Sequence, residues 1–87
     1  MDERPLLQFP CEYPIKVVSR VGPDVRTALD SVFLRHAGPE ALAGVTERAS
    51  GRGNFVSVTY LIEARSAAHI AELFAELKQC PGVMMVL

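Results

Sequence analysis

The stretch that decides the fold is a turn followed by a strand, Gly51-Arg52-Gly53-Asn54-Phe55-Val56-Ser57-Val58-Thr59-Tyr60-Leu61-Ile62-Glu63. The turn is predicted at 51–54, because glycine and asparagine tolerate positive φ. Residues 55–63 then alternate with the period of a β-strand. One side of this strand is wholly apolar and is formed by Val56, Val58, Tyr60 and Ile62. The other side is half apolar and carries Phe55, Ser57, Thr59 and Leu61. The strand is therefore predicted to lie inside a sheet.

Before the turn, the sequence predicts a strand, a helix and a second strand. The first strand covers Tyr13–Val21, where β-branched residues alternate with basic ones. The helix begins at Gly22-Pro23-Asp24 and ends at Gly38-Pro39. Its apolar stripe repeats with helical spacing through Val25, Ala28, Leu29, Val32, Phe33 and His36. Residues 44–50 alternate weakly, which is typical of a short edge strand.

After the strand at 55–63, a second helix and a last strand are predicted. Ser66 is a good N-cap, and the apolar stripe of the helix ends before Cys80-Pro81-Gly82. The last strand covers 83–87. The order β-α-β-β-α-β predicts an α+β, ferredoxin-like sandwich, in which both helices lie on one face of a four-stranded antiparallel sheet of order 4-1-3-2. We expect an N-terminal arm at 1–12 and a single domain at 13–87.

Composition narrows the class of protein. The chain has 87 residues and a formal net charge of −1, which argues against a strongly basic nucleic-acid binder. No apolar run reaches the roughly 18 residues of a membrane span, and the first residues lack the apolar core of a signal peptide. Two cysteines are too few for a disulfide scaffold. These features predict a cytoplasmic protein that does not act at a membrane.

No constellation of residues predicts catalysis or metal binding. His36 is expected to be half-buried at a helix end, and His69 is expected on the surface. Cys11 and Cys80 should lie at opposite ends of the sheet as free thiols. Neither metal-ligand spacing nor a nucleophile elbow is present. The sequence therefore predicts a non-enzymatic protein without a cofactor or a metal.

The outer face of the sheet, away from the helices, is the candidate functional surface. By alternation it combines apolar side chains, including Val18, Met84 and Val86, with basic ones and no acid. It is either a solvated face with scattered apolar residues or a surface for a partner or a second copy. For the second case, the candidate ligand- or partner-binding residues are Lys16, Arg20, Arg48, Arg52, Asn54, Phe55 and Ser57.

A single-stranded RNA-binding module is the alternative. RNA-recognition motifs share this fold and carry a basic-glycine start followed by aromatics on the third strand. Here, aligning Arg52-Gly53 places Asn54 and Val56 where stacking aromatics belong, so only Phe55 could stack a base. Nucleic acid is therefore the less favoured partner.

Several stretches resemble the YbeD-like family of small bacterial proteins, some of which carry the label of lipoate regulatory proteins. They are Phe9-Pro10, Lys16-Val17-Val18, Arg35-His36-Ala37, Ser50-x-x-Gly53-Asn54-Phe55-x-Ser57-Val58 and Val83-x-Met85-Val86-Leu87. The resemblance covers about residues 9 to 87. It implies a fold similar to ACT-type regulatory domains, which bind small molecules between subunits, and it implies no catalytic residues. Ser19 stands where the family has glycine, and Met84 where it has a basic residue.

The resulting hypothesis is a non-enzymatic, ACT-like regulatory or interaction module, with a small molecule or a protein as its partner and a homodimer as its possible form. A link to lipoate metabolism is implied by the resemblance alone.

Overall fold

The computed structural model describes residues 8–87 and contains one four-stranded sheet packed against two helices. The elements are β1 (Cys11–Arg20), α1 (Pro23–Ala37), β2 (Thr46–Ser50), β3 (Phe55–Ala64), α2 (Ala67–Gln79) and β4 (Val83–Val86). The sheet order is β2-β3-β1-β4, and all three strand pairs are antiparallel. The predicted ferredoxin-like fold and its strand order are confirmed. Residues 1–7 of the predicted arm lie outside the described residues.

The hairpin between β2 and β3 is a tight turn at Gly51–Gly53, which is closed by a hydrogen bond from the Asn54 N–H to the Gly51 carbonyl oxygen at 3.1 Å. Gly51, Arg52 and Gly53 all have positive φ, at 60°, 59° and 85°. A Cβ atom on Gly51 would lie 2.7 Å from the ring of Phe55, so this position requires glycine for space as well as for its backbone angle. The turn thus places the Phe55 ring close against the hairpin backbone.

The core lies between the sheet and the helices, and an aromatic pair is at its centre. The rings of Phe33 in α1 and Tyr60 in β3 are stacked, with centroids 3.7 Å apart, and both residues are fully buried. The Tyr60 hydroxyl donates to Asp30 at 2.6 Å, and Arg26 Nε donates to the same carboxylate at 2.9 Å. Burial, together with this hydrogen bond, raises the pKa of Tyr60 well above its ordinary value. The phenol is therefore a neutral donor at all physiological pH values.

His69 joins three segments and is buried, with 6% of its surface exposed. Its Nδ1 accepts a hydrogen bond from the Arg65 backbone N–H at 3.0 Å, and its Nε2 donates to the His36 carbonyl oxygen at 2.6 Å. The expected surface position of His69 is wrong, because the ring turns inward to bridge the β3–α2 connection and the C-terminal end of α1. His36 is half-buried at the end of α1, as predicted.

An ion-pair cluster connects the two helices near their C-terminal ends. Arg35 donates to Glu76, and His36 Nε2 lies 2.7 Å from the other oxygen of the same carboxylate. These contacts, with Arg35 as the larger cause, lower the pKa of Glu76 to about 2. Glu76 is therefore ionised even in mild acid in the folded state.

The Glu76 cluster predicts a pH dependence of stability. Because the folded-state pKa is lowered, the stabilisation is present above the unfolded pKa of about 4.5 and is lost as the pH falls toward about 2. In urea unfolding, wild type should therefore be more stable than Glu76→Gln at neutral pH, and this difference should shrink across that acid range. Glu72→Gln, on the exposed side of α2, is the control and should show a smaller difference. A wild-type advantage that stays constant from neutral pH to pH 2 would contradict the prediction.

Candidate functional site

The outer face of the sheet carries the residues predicted for binding, and the register shows which of them meet. Arg48 pairs with Ser57, and Arg20 pairs with Phe55 on the next outward-facing rung. Lys16, Arg48 and Ser57 line one shallow depression of about 340 Å³. The structure thus brings together five of the predicted residues: Lys16, Arg20, Arg48, Phe55 and Ser57. Arg52 and Asn54 lie apart from them in the hairpin.

The expectation that this face carries no acid is wrong. β1 begins at Cys11, two residues before its predicted start, so that Glu12 joins the sheet and pairs directly with Glu63 of β3. Both carboxylates are exposed on the outer face. With Leu61 and Glu40 they border a second depression of about 450 Å³. The outer face is therefore basic at the hairpin end and acidic at the opposite end.

The side assignment of β4 also needs correction. Val86 pairs with Val17 and packs against the core, so it lies on the inner face. The register shifts between Val18 and Ser19, which leaves Met84 as an extra residue in a β-bulge. As a result Met84 and Met85 are both about half exposed, at 52% and 50%. A single bulged residue reverses which residues of β4 face inward and which face outward. The sequence of the strand does not indicate that a bulge is present.

The sequence pattern missed a cavity of about 380 Å³ between the start of α1 and the inner side of β2, here called the α1–β2 cavity. Its walls are mainly apolar and include Leu29, Val56 and Val58. Arg26 and Glu47 form an ion pair at its margin. The cavity exists because the helices cover β1 and β3, whereas β2 is exposed along its whole length and borders the space only with Glu47 and the small side chain of Ala49.

Ser19 is the polar residue that distinguishes this cavity. Its side chain is completely buried, and its hydroxyl has no hydrogen-bond partner among residues 8–87. Ser19 lines the cavity together with Gly22 and Pro23, the first residues of the α1 terminus. No side chain caps that terminus, so N–H groups of its first turn lack a side-chain acceptor. Unpaired buried hydroxyls are uncommon, and this one adjoins a space large enough for a ligand.

Within residues 8–87 there is no group of His, Cys, Asp or Glu side chains that could hold a metal ion. Cys11 and Cys80 are half-buried free thiols, as predicted, and burial raises the pKa of Cys80. None of the helices in this part of the chain is both long and apolar enough to cross a membrane.

Comparison with known proteins identifies the family. The model of the family described as "Protein of unknown function (DUF493)" matches residues 4–87. The chain belongs to the DUF493 family. A UPF0250 protein of Hahella chejuensis is 35% identical over 85 residues, which cover 98% of this chain and 93% of that protein. The expected YbeD-like membership is thereby confirmed. No catalytic function is named for this DUF493 relative.

Solved structures share the fold of this DUF493 chain. Protein HP0495 from H. pylori superimposes with a TM-score of 0.76 at 16% identity, covering 98% of this chain and 89% of that one. The ACT domain from GTP pyrophosphokinase of Chlorobium tepidum gives a TM-score of 0.64 at 13% identity, covering 87% and 94%. The ACT-like architecture is thus confirmed at the level of fold.

Proposed function

We propose that this DUF493 protein is a non-catalytic regulatory module that binds a small amphipathic molecule in the α1–β2 cavity. The observation that carries the proposal is the buried Ser19 hydroxyl, which has no partner among the described residues and lines the cavity. Leaving a buried hydroxyl unpaired costs about 1–3 kcal/mol. A ligand oxygen or nitrogen placed beside Ser19 would remove that cost in the bound state.

The lining residues define the chemistry of this ligand. Apolar walls suit an aliphatic or aromatic body, and about 380 Å³ lies within the range of small-molecule sites. A carboxylate is the polar group that best fits the other end, because the Arg26 side chain and the positive end of the α1 dipole lie there. The ligand class is therefore a small carboxylic acid with an apolar body, such as an apolar amino acid or a short-chain fatty acid.

Regulation by a bound effector agrees with the ACT-like fold. It also agrees with the regulatory role that the family resemblance implies. Arg26 connects the cavity margin to the core, since it contacts both Glu47 in β2 and Asp30, which in turn accepts from Tyr60. A ligand that displaces Glu47 would alter this chain of contacts. The cavity thus has a physical route by which occupancy could change the shape of the protein.

Amide NMR with the free amino acids and short-chain carboxylic acids as probes tests the proposal. We expect at least one probe to shift the amides of Ser19, Gly22 and Val56. Ala49→Phe, which fills the space from β2, should weaken that probe's binding about tenfold or more. Ala75→Phe, on an exposed position of α2, is the matched control and should bind as wild type does.

Ser19→Ala separates stability from binding. Removing an unpaired buried hydroxyl should raise the free energy of unfolding by about 1 kcal/mol, whereas losing the ligand contact should weaken binding about five- to tenfold. Urea unfolding and NMR titration measure the two effects on the same sample. The proposal would be overturned if no probe in the panel shifted the cavity amides. It would also be overturned if Ser19→Ala bound a probe as tightly as wild type does.

A further inference from the structure

The outer sheet face carries opposite charges at its two ends. Arg20 and Arg48 lie toward the hairpin, Lys16 lies midway along the face, and Glu12 and Glu63 lie at the far end. Within residues 8–87 none of these five charged groups forms an ion pair with another described residue. Glu12 and Glu63 are also direct cross-strand neighbours, an arrangement that is unfavourable for like charges. Among the described residues, each end therefore presents a cluster of one sign.

The strand register places Arg20 and Glu12 symmetrically about the middle of the face. Lys16 pairs with Thr59, which pairs with Thr46, and this rung lies midway along the face. Arg20 is four residues beyond it on β1, and Glu12 is four residues before it. Consider two such sheets stacked face to face, with a two-fold axis in the plane between them that runs perpendicular to the strands at the middle rung. Rotation about this axis places Arg20 of one sheet opposite Glu12 of the other.

We propose that two copies of this chain pack outer face against outer face about that axis. β1 and β3 then lie over their own copies in the opposite direction, so that Arg20 of one copy faces Glu12 of the other, and Arg48 approaches Glu63. Both contacts occur twice, as an isologous interface requires. Face-to-face sheets lie about 10 Å apart, a separation that paired arginine and glutamate side chains can span.

The middle of the face supplies apolar contact in the same arrangement. Val18 and Ser57 pair with each other on the hairpin side of the axis, while Pro14 and Leu61 pair on the acidic side. The rotation places Val18 over Pro14 and Ser57 over Leu61. Only β1 and β3 extend on both sides of the axis; at about 4.8 Å spacing and about 33 Å of length they give on the order of 300 Å² in projection. This is below the usual size of a specific interface, so we expect a weak, concentration-dependent dimer.

Charge exchange tests the arrangement by sedimentation velocity over a concentration series. Wild type should show a dimer that weakens as salt rises, since the contacts are ionic. Arg20→Glu and Glu12→Arg should each weaken the dimer about tenfold or more, and the double variant should recover most of the loss because the partners are exchanged. Lys78→Glu and Glu72→Lys, exposed on α2, change the charge equally and should leave dimerisation unchanged.

Lys16→Gln should change the strength of the dimer in the opposite direction to Arg20→Glu and Glu12→Arg. Lys16 lies on the axis rung, where it faces Lys16 of the second copy, so removing its charge should strengthen the dimer. A wild type that is monomeric throughout, a double variant as weak as the single ones, or a dimer weakened by Lys16→Gln would overturn the proposal. Salt-sensitive binding of a single-stranded RNA oligonucleotide by a monomeric wild type would do so as well, because it would give the basic end another partner.

Discussion

Tyr60→Ala is expected to remove most of the stability of the domain. The substitution deletes a fully buried ring that stacks on Phe33, and such truncations cost about 3–5 kcal/mol. It also removes the donor to Asp30, worth about 1 kcal/mol. A chain of this length has only about 5–10 kcal/mol in total. Urea unfolding followed by far-UV circular dichroism should therefore show a large fall in the midpoint.

Tyr60→Phe is the matched control, because it keeps the stacked ring and removes only the hydroxyl. Tyr60→Phe should lower the free energy of unfolding by about 1–2 kcal/mol, because Asp30 loses the hydroxyl donor but keeps its contact with Arg26. Equal losses in the two variants would mean that the hydroxyl, rather than the ring, carries the stability, contrary to this account of the core.

His69→Ala has the second largest expected effect, a loss of about 2–4 kcal/mol in the free energy of unfolding. Both ring nitrogens are used, so the substitution removes the acceptor of the Arg65 N–H and the shorter of two contacts to the His36 carbonyl oxygen, and it opens a cavity in the buried site. Urea unfolding measures the loss.

His36→Ala is the comparison for His69→Ala. The His36 ring is half-buried and its Nε2 pairs with Glu76, at a partly exposed position where Arg35 also binds the carboxylate. His36→Ala should therefore lower the free energy of unfolding by less than half as much as His69→Ala does. Equal decreases in the free energy of unfolding for the two variants would show that the hydrogen bonds of the buried His69 ring contribute little to stability.

The fold was predictable because its signals are local and repeated. The alternation in β3 and the two helical stripes each extend over several turns or rungs, and the proline and glycine residues at 22–23, 38–39 and 81–82 separate the elements. Antiparallel order then follows from few topological choices. The predicted outer-face residues Lys16, Arg48 and Ser57 do meet, because period-two alternation fixes the face once β3 is placed.

The remaining details depend on tertiary contacts that no local pattern reports. The inward turn of His69 requires the end of α1 to be in place, and the extra residue in β4 becomes visible only when the strand is paired with β1. The cavity beside Ser19 arises from a mismatch between the width of the sheet and the width of two helices. Packing determines such features, and one-dimensional periodicity carries no information about it.

The bulge at Met84 bears on aggregation. A sheet grows by pairing its edge strands, and the β4 edge is short and irregular, which makes it a poor template for an incoming strand. The β2 edge is regular, but its sequence Thr46–Ser50 is exposed and contains both Glu47 and Arg48. Short charged segments of this kind do not form dry cross-β interfaces. Both edges therefore resist fibril growth, one through its shape and the other through its charge.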